Sequence, residues 1–531
     1  MNLISDETGR RACALMLELA AIPSVTGSDG EEACARFIHD RLARTDYFAR
    51  HPEDLNFIAL ENDPLGRHAV AALARAGRPA KKTVILTGHF DVVDVEGCGP
   101  LRPWAFDPEE YTRRAGELAL SEEARKDLDS GRWLFGRGVS DMKAGVALGI
   151  CLFEDYISRI GELEFNILLL LVPDEEGDSV GMRGSISHLA RLKEEGLDFL
   201  ACVDIEPVFE SNSPAVYYGT IGKIMPLYLC VGIESHAGEY RAGLSSTLIA
   251  SCLNLSLDGA EDTAETRGNQ LFQPQCCLRF RDLRARYAVT LPERTVLYYN
   301  CLTVAKTPAK LLEEMKEKAL RALEETLGRV RRADLTPRVL TAGEVLDRAA
   351  LALGCRREEL ADKLLPRIAA EDERERNIEF LSLALDATGE KGPLVVVGFL
   401  PPFYPPRVNE NENLRDRAVR AAAAAVRTSL ERRGYGFTEI EIFQGITDLS
   451  YTGFRGEAGE LAPLEENMPL WGRGYGLPLS DLRKIDIPGV VLGPIGKDAH
   501  KAAERVELDY AFNVLPSVLT TFIASLSRYG E

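Results

Sequence analysis

Apolar positions recur at three- and four-residue intervals over residues 7–21 and 31–44, so the pattern predicts two opening helices. PSVTGSDG between them supplies turn residues and an N-cap ahead of Glu31 and Glu32. The pattern then alternates. TVILT (83–87) reads as a strand, a loop rich in Gly and Pro follows, and a helix is expected from about 143 to 159. FNILLLLV (165–172) reads as the next strand, a helix follows near 182–195, and FLACVDI (199–205) closes the series. Nearly continuous apolar strands separated by helices predict an α/β domain with a largely parallel sheet buried on both faces.

After Pro214 the texture changes. KIMPLYLCVGI (223–233), a helix around 245–257, QCCLRF (275–280), TVLYYNCLTV (295–304) and a charged helix over 307–327 predict a smaller α+β unit with an antiparallel sheet. Residues 346–390 are highly charged and read as a solvated helical excursion, and PLVVVGFLPPFYPP (393–406) as a strand ending in a stiff proline loop suited to a linker. A helix over 413–433 and strands at 438–443 and 487–492 restore the first texture. The expectation is therefore an α/β domain with a mostly parallel central sheet flanked by helices over 1–213, interrupted by a smaller α+β domain over 214–408 and resumed over 409–531. A chain of 531 residues is long enough for two or three such cores.

Composition narrows the partners. The chain has 63 Lys and Arg against 82 Asp and Glu, a net charge of −19, which argues against a nucleic-acid partner because phosphate binding needs a basic surplus. The opening MNLISDETGRRACALMLELA lacks the features of a secretion signal, and charges are expected to interrupt every apolar run before about 18 residues, so a cytosolic protein without a membrane partner is expected. Eleven scattered cysteines with no C-x-x-C pair fit reduced, buried thiols. A vicinal disulfide between Cys276 and Cys277 is the competing reading; alternate strand faces explain the pair more simply.

Candidate chemistry gathers where predicted strands end. GHFD (88–91) follows TVILT: His89 can ligate a metal while Asp91 holds its other ring nitrogen, although a capped or surface histidine gives the same tetrapeptide. In GRGVSDMKAG (136–145), Asp141 can bridge two cations with its two oxygens or serve as an N-cap. PDEEGDSVG (173–181) places Glu175 and Glu176 side by side, so one carboxylate can ligate a metal while its neighbour acts as a general base; an acidic loop is the alternative. CVDIEP (202–207) adds Asp204 and Glu206, and GPIGKDAHKAAERVE (493–507) adds His500. Two histidines and three carboxylates suit two divalent, zinc-like ions that acidify a water, and hydrolysis follows from that chemistry.

These residues, in this order, resemble the M20 family of di-zinc peptidases and deacylases. The resemblance implies that His89 and Glu206 hold one zinc, Glu176 and His500 the other, and Asp141 bridges them, with cobalt or manganese as alternative metals. It also implies that Asp91 orients His89 and that Glu175 is the general base toward a metal-bridging water. YYGTIGKIMPLYLCVGIESHAGEY (217–240) looks like the family's lid segment, whose histidine reaches a neighbouring site across a dimer, so His236 is expected to stabilise an oxyanion in a homodimer formed through the lid. A capping or surface histidine is the competing reading. GITD (445–448) resembles a substrate-contacting loop, with Thr447 the contact.

The departures fall on substrate recognition. RYAVTLPERTVLYYNCL (286–302) lacks the family's Asn before Pro292 and has Leu302 about where a carboxylate-gripping Arg is expected; Arg279, Arg281 or Arg294 are the substitutes, or form surface ion pairs. The length, the YYN strand, the helical insert and GFLPPFYPP look most like the arginine-utilisation, RocB-type branch of the family. The expected function is a metal-dependent hydrolase cleaving an amide or peptide bond in a small acylated amino acid or short peptide, in arginine or related amino-acid catabolism. The alternative is a non-catalytic metal- or amino-acid-binding regulatory protein of the same fold.

Overall fold

The computed structural model describes residues 4–61, 63–209, 213–411 and 413–528. The chain forms two compact units, the first built from residues 1–220, 407–454 and 480–531, the second from 221–406 and 455–479. The excursion at 455–479 lies inside the stretch that the sequence pattern assigned whole to the returning domain.

The first unit is organised by an eight-stranded sheet in the order Leu55–Ala59, His68–Ala74, Asn166–Val172, Lys82–His89, Asp198–Asp204, Gly489–Val491, Ala215–Tyr217 and Thr438–Ile440. Its centre is parallel, and the register decides the function: His89 lies beside Val172, and Thr87 and Val491 both lie beside Asp204. Four strands therefore end along one edge. Asn166–Val172 is buried at every position because helices cover both faces, which is why its seven residues are Asn followed by an unbroken Ile/Leu/Val run. The opening helices form as their caps dictate: Asp6 accepts from Gly9 N ahead of Glu7–Ala20, and Ser28 from Gly30 N ahead of Asp29–Ala43.

One stretch departs from the expectation about apolar runs. Tyr510–Ser527 contains 18 residues without a charge and is long and apolar enough to cross a membrane by length and composition. Its Leu515, Leu519, Phe522, Ile523 and Leu526 are buried in the first unit's core.

The second unit has a five-stranded sheet in the order Cys276–Asp282, Arg294–Thr303, Gly222–Val231, Leu394–Tyr404 and Arg338–Thr341, antiparallel except for the last pair. Two expectations are corrected here. The charged insert is not a solvated excursion: Val345, Leu346 and Ala349, Leu360 and Leu364, and Ile378, Leu381 and Leu385 pack with Leu227, Leu229 and Val396 in one buried cluster. Each of its helices, Ala342–Ala352, Arg357–Leu364 and Glu373–Thr388, carries an apolar stripe on a charged background. Nor is the proline segment a linker. Pro401 and Pro402 lie within Leu394–Tyr404, where the pairing shifts between Leu400 and Tyr404, and such an irregularity tolerates residues that cannot donate to the ladder.

Candidate active site

The loops that leave the four parallel strand ends converge. His89 ends its own strand, and Asp91 follows in a turn held by Ser24 and Thr26; the Asp91 carboxylate accepts from Thr26 Oγ1 (2.9 Å), Glu175 N (3.1 Å) and Glu176 N (3.2 Å). One buried carboxylate thus sets the turn that carries the paired glutamates. Asp91 O and Oδ1 also lie 3.1 and 3.4 Å from His89 Nδ1, which fixes the ring and leaves Nε2 facing the other loops.

His89 Nε2 is 3.1 Å from Asp141 Oδ1, 3.1 Å from Glu206 Oε1 and 3.9 Å from Glu175 Oε2. His500 Nε2 is 3.2 Å from Asp141 Oδ2 and 2.9 Å from Glu176 Oε1. The two oxygens of Asp141 therefore face two different His and Glu pairs. A close approach makes this possible: Gly145 opens the helix Ala144–Ser158 where a β-carbon would collide with the Ile205 carbonyl, so the Asp141 loop and Glu206 meet.

Two buried arginines brace the loops from behind. Arg67 donates to Glu31 Oε2 (2.9 Å), Asp63 Oδ1 (2.8 Å) and Asp174 Oδ1 (2.6 Å), and Asp174 Oδ2 in turn accepts from Asp178 N and Val180 N, closing the loop after Glu175 and Glu176. Arg137 donates to Glu504 Oε2 (2.5 Å) and His500 O (3.2 Å). His500 lies between the paired strands Gly496–Lys497 and Arg505–Glu507 and adopts a left-handed φ of 65°, a conformation that costs a non-glycine residue about 1–3 kcal/mol and persists only when its surroundings impose it.

The charges are unbalanced. Among the described residues, Asp141, Glu175, Glu176 and Glu206 have only His89 and His500 as ion-pair partners. Burial, with neighbouring carboxylates adding and His89 opposing, pushes Glu175 well above the ordinary carboxylate range. Burial and the Asp141 charge push Glu206 up to about 7. Hydrogen bonds to Asp141 and Glu176 push His500 up to about 10. Burial works to raise Asp141, but the two imidazoles outweigh it and hold it below the usual range. Such a site favours divalent cations, and the sets His89/Asp141/Glu206 and Asp141/Glu176/His500 each bring their donor atoms within 4.8 Å of one another.

A sequence profile of peptidase family M20/M25/M40 matches residues 85–471. The chain belongs to this family. As an M20 protein it has the fold and relatives of metallopeptidases and amidohydrolases. The Bacillus subtilis (strain 168) protein YqjN is 33% identical over 549 aligned residues, covering 99% of this chain and 98% of YqjN. Protein RocB of the same organism is 29% identical, covering 96% of this chain and 94% of RocB. The M20 metallo-carboxypeptidase Sso-CP2 from Sulfolobus solfataricus superimposes with a TM-score of 0.54 at 13% identity, over 98% of this chain and 100% of Sso-CP2, which shows the shared fold.

The remaining sequence candidates of this M20 chain fall elsewhere. Thr447 is buried, and its hydroxyl accepts from Leu449 N. Its neighbour Asp448, which sequence reasoning passed over, is 2% exposed, and burial pushes it up to about 7. In the second unit, His236 is exposed and its Nδ1 accepts from Gly238 N at 3.1 Å. Arg279 and Arg281 pair with Glu375, and Arg294 reaches Ser382 Oγ (2.7 Å) and Asp386 (2.5 Å). Arg67, Arg137 and Glu504 were also missed; the spacing of a sequence carries no signal for braces whose partners lie 107 and 367 residues away.

Proposed function

We propose that the protein is a metal-dependent amidohydrolase of the cytoplasm that cleaves an amide or peptide bond in a small acylated amino acid or short peptide. The observation that carries this reading is the split of Asp141, one oxygen toward His89 and Glu206 and the other toward His500 and Glu176. In this reading His89 and Glu206 hold one divalent ion, Glu176 and His500 a second, and Asp141 both; zinc suits the mixed nitrogen and oxygen donors, with cobalt or manganese as alternatives. Such a pair would acidify a water and polarise the scissile carbonyl.

The chain's own groups do the rest. Glu175, buried and adjacent to the ligands, takes the proton of the attacking water and delivers it to the leaving amine nitrogen. Asp91 holds the His89 ring and the Glu175 turn in register. His236 serves as an oxyanion donor, supplied by the second copy in a homodimer. Because its Nδ1 accepts from Gly238 N, the neutral ring carries its proton on Nε2, the tautomer a donor needs. The dimer is supported by Cys276–Asp282, an edge strand that pairs on one side only and exposes Leu278 and Phe280. Similarity to RocB over nearly the whole chain supports a substrate from arginine or related amino-acid catabolism.

The test is amine release from a panel of N-acyl amino acids and dipeptides, including arginine, ornithine and glutamate derivatives, with added zinc or cobalt, comparing wild type with Glu175→Ala. Wild type should turn over at least one pool, and the variant should be slower by about a hundredfold or more while still binding metal. Equal rates would remove Glu175 from the mechanism, and no turnover of any pool by metal-loaded wild type would favour a binding protein.

A further inference from the structure

Behind the Asp141 and His500 loops lies a polar network that no ligand role absorbs. Glu504 is 1% exposed; its Oε2 accepts from Arg137 Nη1, and its Oε1 faces the backbone N–H groups of Ser140 and Asp141, each at 3.3 Å. Arg137, 2% exposed, spends its other terminal nitrogen on the carbonyl of His500 at 3.2 Å. Tyr111 adds a third tie, donating its hydroxyl to Ala502 O at 2.8 Å. The hairpin root is held separately, by Arg505 on Asp127 Oδ2 (2.9 Å) and Asp498 Oδ2 (2.5 Å). One carboxylate and one guanidinium therefore fasten the backbone of Asp141 to the backbone of His500, through hydrogen bonds that each span 363 residues of the chain.

We propose that Arg137 and Glu504 are positioning residues that set the spacing between Asp141 and His500, and so tune the ion held by Glu176 and His500 more than the ion held by His89 and Glu206. This rests on the two-ion reading above. The physics is that of groups behind metal ligands: they restrict where a ligand atom can sit, and losing them weakens metal binding by about 10- to 100-fold without removing a ligand. The asymmetry follows from the bonds. The His89 ring is fixed from another side, by Asp91, whereas the His500 backbone is left-handed and takes its hydrogen bond from Arg137. Asp141, common to both sets, is anchored through its N–H, so a change at Glu504 is felt at both but adds to the loss at His500.

The test uses the full-length protein, stripped with a chelator and titrated with Co²⁺, reading the visible absorption and the number of ions bound. Wild type should bind two ions. In Glu504→Gln, which keeps the shape and loses the charge, and in Arg137→Lys, one ion should weaken by about 10- to 100-fold and the other by no more than about threefold. The absorption assigned to the weaker ion should change, and kcat should fall with KM little altered. Tyr111→Phe removes a single hydrogen bond to the same loop; it should leave the metal-free melting temperature near that of wild type and weaken the same ion severalfold, so the proposal stays testable if the other variants fold poorly. Equal weakening of both ions, or unchanged affinities with activity loss that follows melting temperature alone, would overturn the positioning role. Wild type binding no more than one ion would instead overturn the two-ion reading itself.

Discussion

His89 ends one strand and His236 follows another, yet their surroundings are opposite. His89 is 1% exposed, with Nδ1 set by Asp91 and Nε2 between Asp141 and Glu206. His236 stands exposed on a short ribbon paired with 289–291, where Tyr287 is 92% and Val289 50% exposed, and its ring makes one local bond. A ring held on both nitrogens cannot reorient, which suits a group that must keep one nitrogen aimed at a fixed point. A ring on an exposed ribbon can move and meet another surface, as a group that closes on a substrate must. On the proposed reading, the contrast separates chemistry built into one unit from recognition left open on the other.

The sharpest way to break that division is to remove the group on which the buried half depends. Asp141→Ala deletes the carboxylate shared by both ligand sets. Metal affinity should fall by more than the 10- to 100-fold that groups behind the ligands cost, and activity should fall below detection, as measured by ion titration and amine release. Retention of two tightly bound ions would show that the two sets are independent and that Asp141 does not bridge them.

Replacing His236 probes the open half. His236→Ala should leave metal stoichiometry and melting temperature unchanged, because the side chain is exposed and loses one local hydrogen bond, while kcat drops by about a hundredfold, the scale of one oxyanion donor. Mixing His236→Ala with Glu175→Ala subunits should restore part of the activity if the histidine acts across a dimer. Failure of the mixture to recover, with both single variants dimeric, would put His236 to work within its own chain or remove it from catalysis.

How much of this was legible follows from what a sequence records. Strands buried on both faces show as unbroken apolar runs, so Asn166–Val172 and its neighbours stood out, and the chemistry directly after them could be placed at one sheet edge. The insert helices were misread because abundant Arg and Glu masked stripes such as Ile378, Leu381 and Leu385, which recur at helical spacing and are buried. Pro401 and Pro402 signalled a break because an ordinary ladder needs their missing N–H groups, but an irregular register supplies the exception. The residues whose donor atoms gather at this edge were recoverable; the braces Arg67, Arg137 and Glu504 were not, since a long-range salt bridge has no period. Asp448 was legible as part of GITD, but nothing in four residues marks which carboxylate will be buried.

The smallest effect tests whether the buried half is strained without its ions. Burial holds the proton of Glu504 and Glu206 up to about 7 instead of 4.5, and ion pairing holds that of His500 up to about 10 instead of 6.5. Raised values mean the folded chain binds these protons more tightly than the unfolded chain does. The carboxyls therefore contribute fully below about 4.5 and lose that contribution as pH rises through about 7; His500 contributes fully below 6.5 and loses it as pH approaches about 10. The melting temperature of the metal-free protein should accordingly drift down by a few degrees between about pH 5 and pH 9. Saturating zinc or cobalt should reverse the slope, because metals bind deprotonated ligands and their stabilisation grows as protons leave. Parallel curves with and without metal would mean that the clustered carboxylates and histidines of the first unit are not where the ions bind, and the contrast between a buried, charge-strained centre and an open recognition ribbon would lose its physical basis.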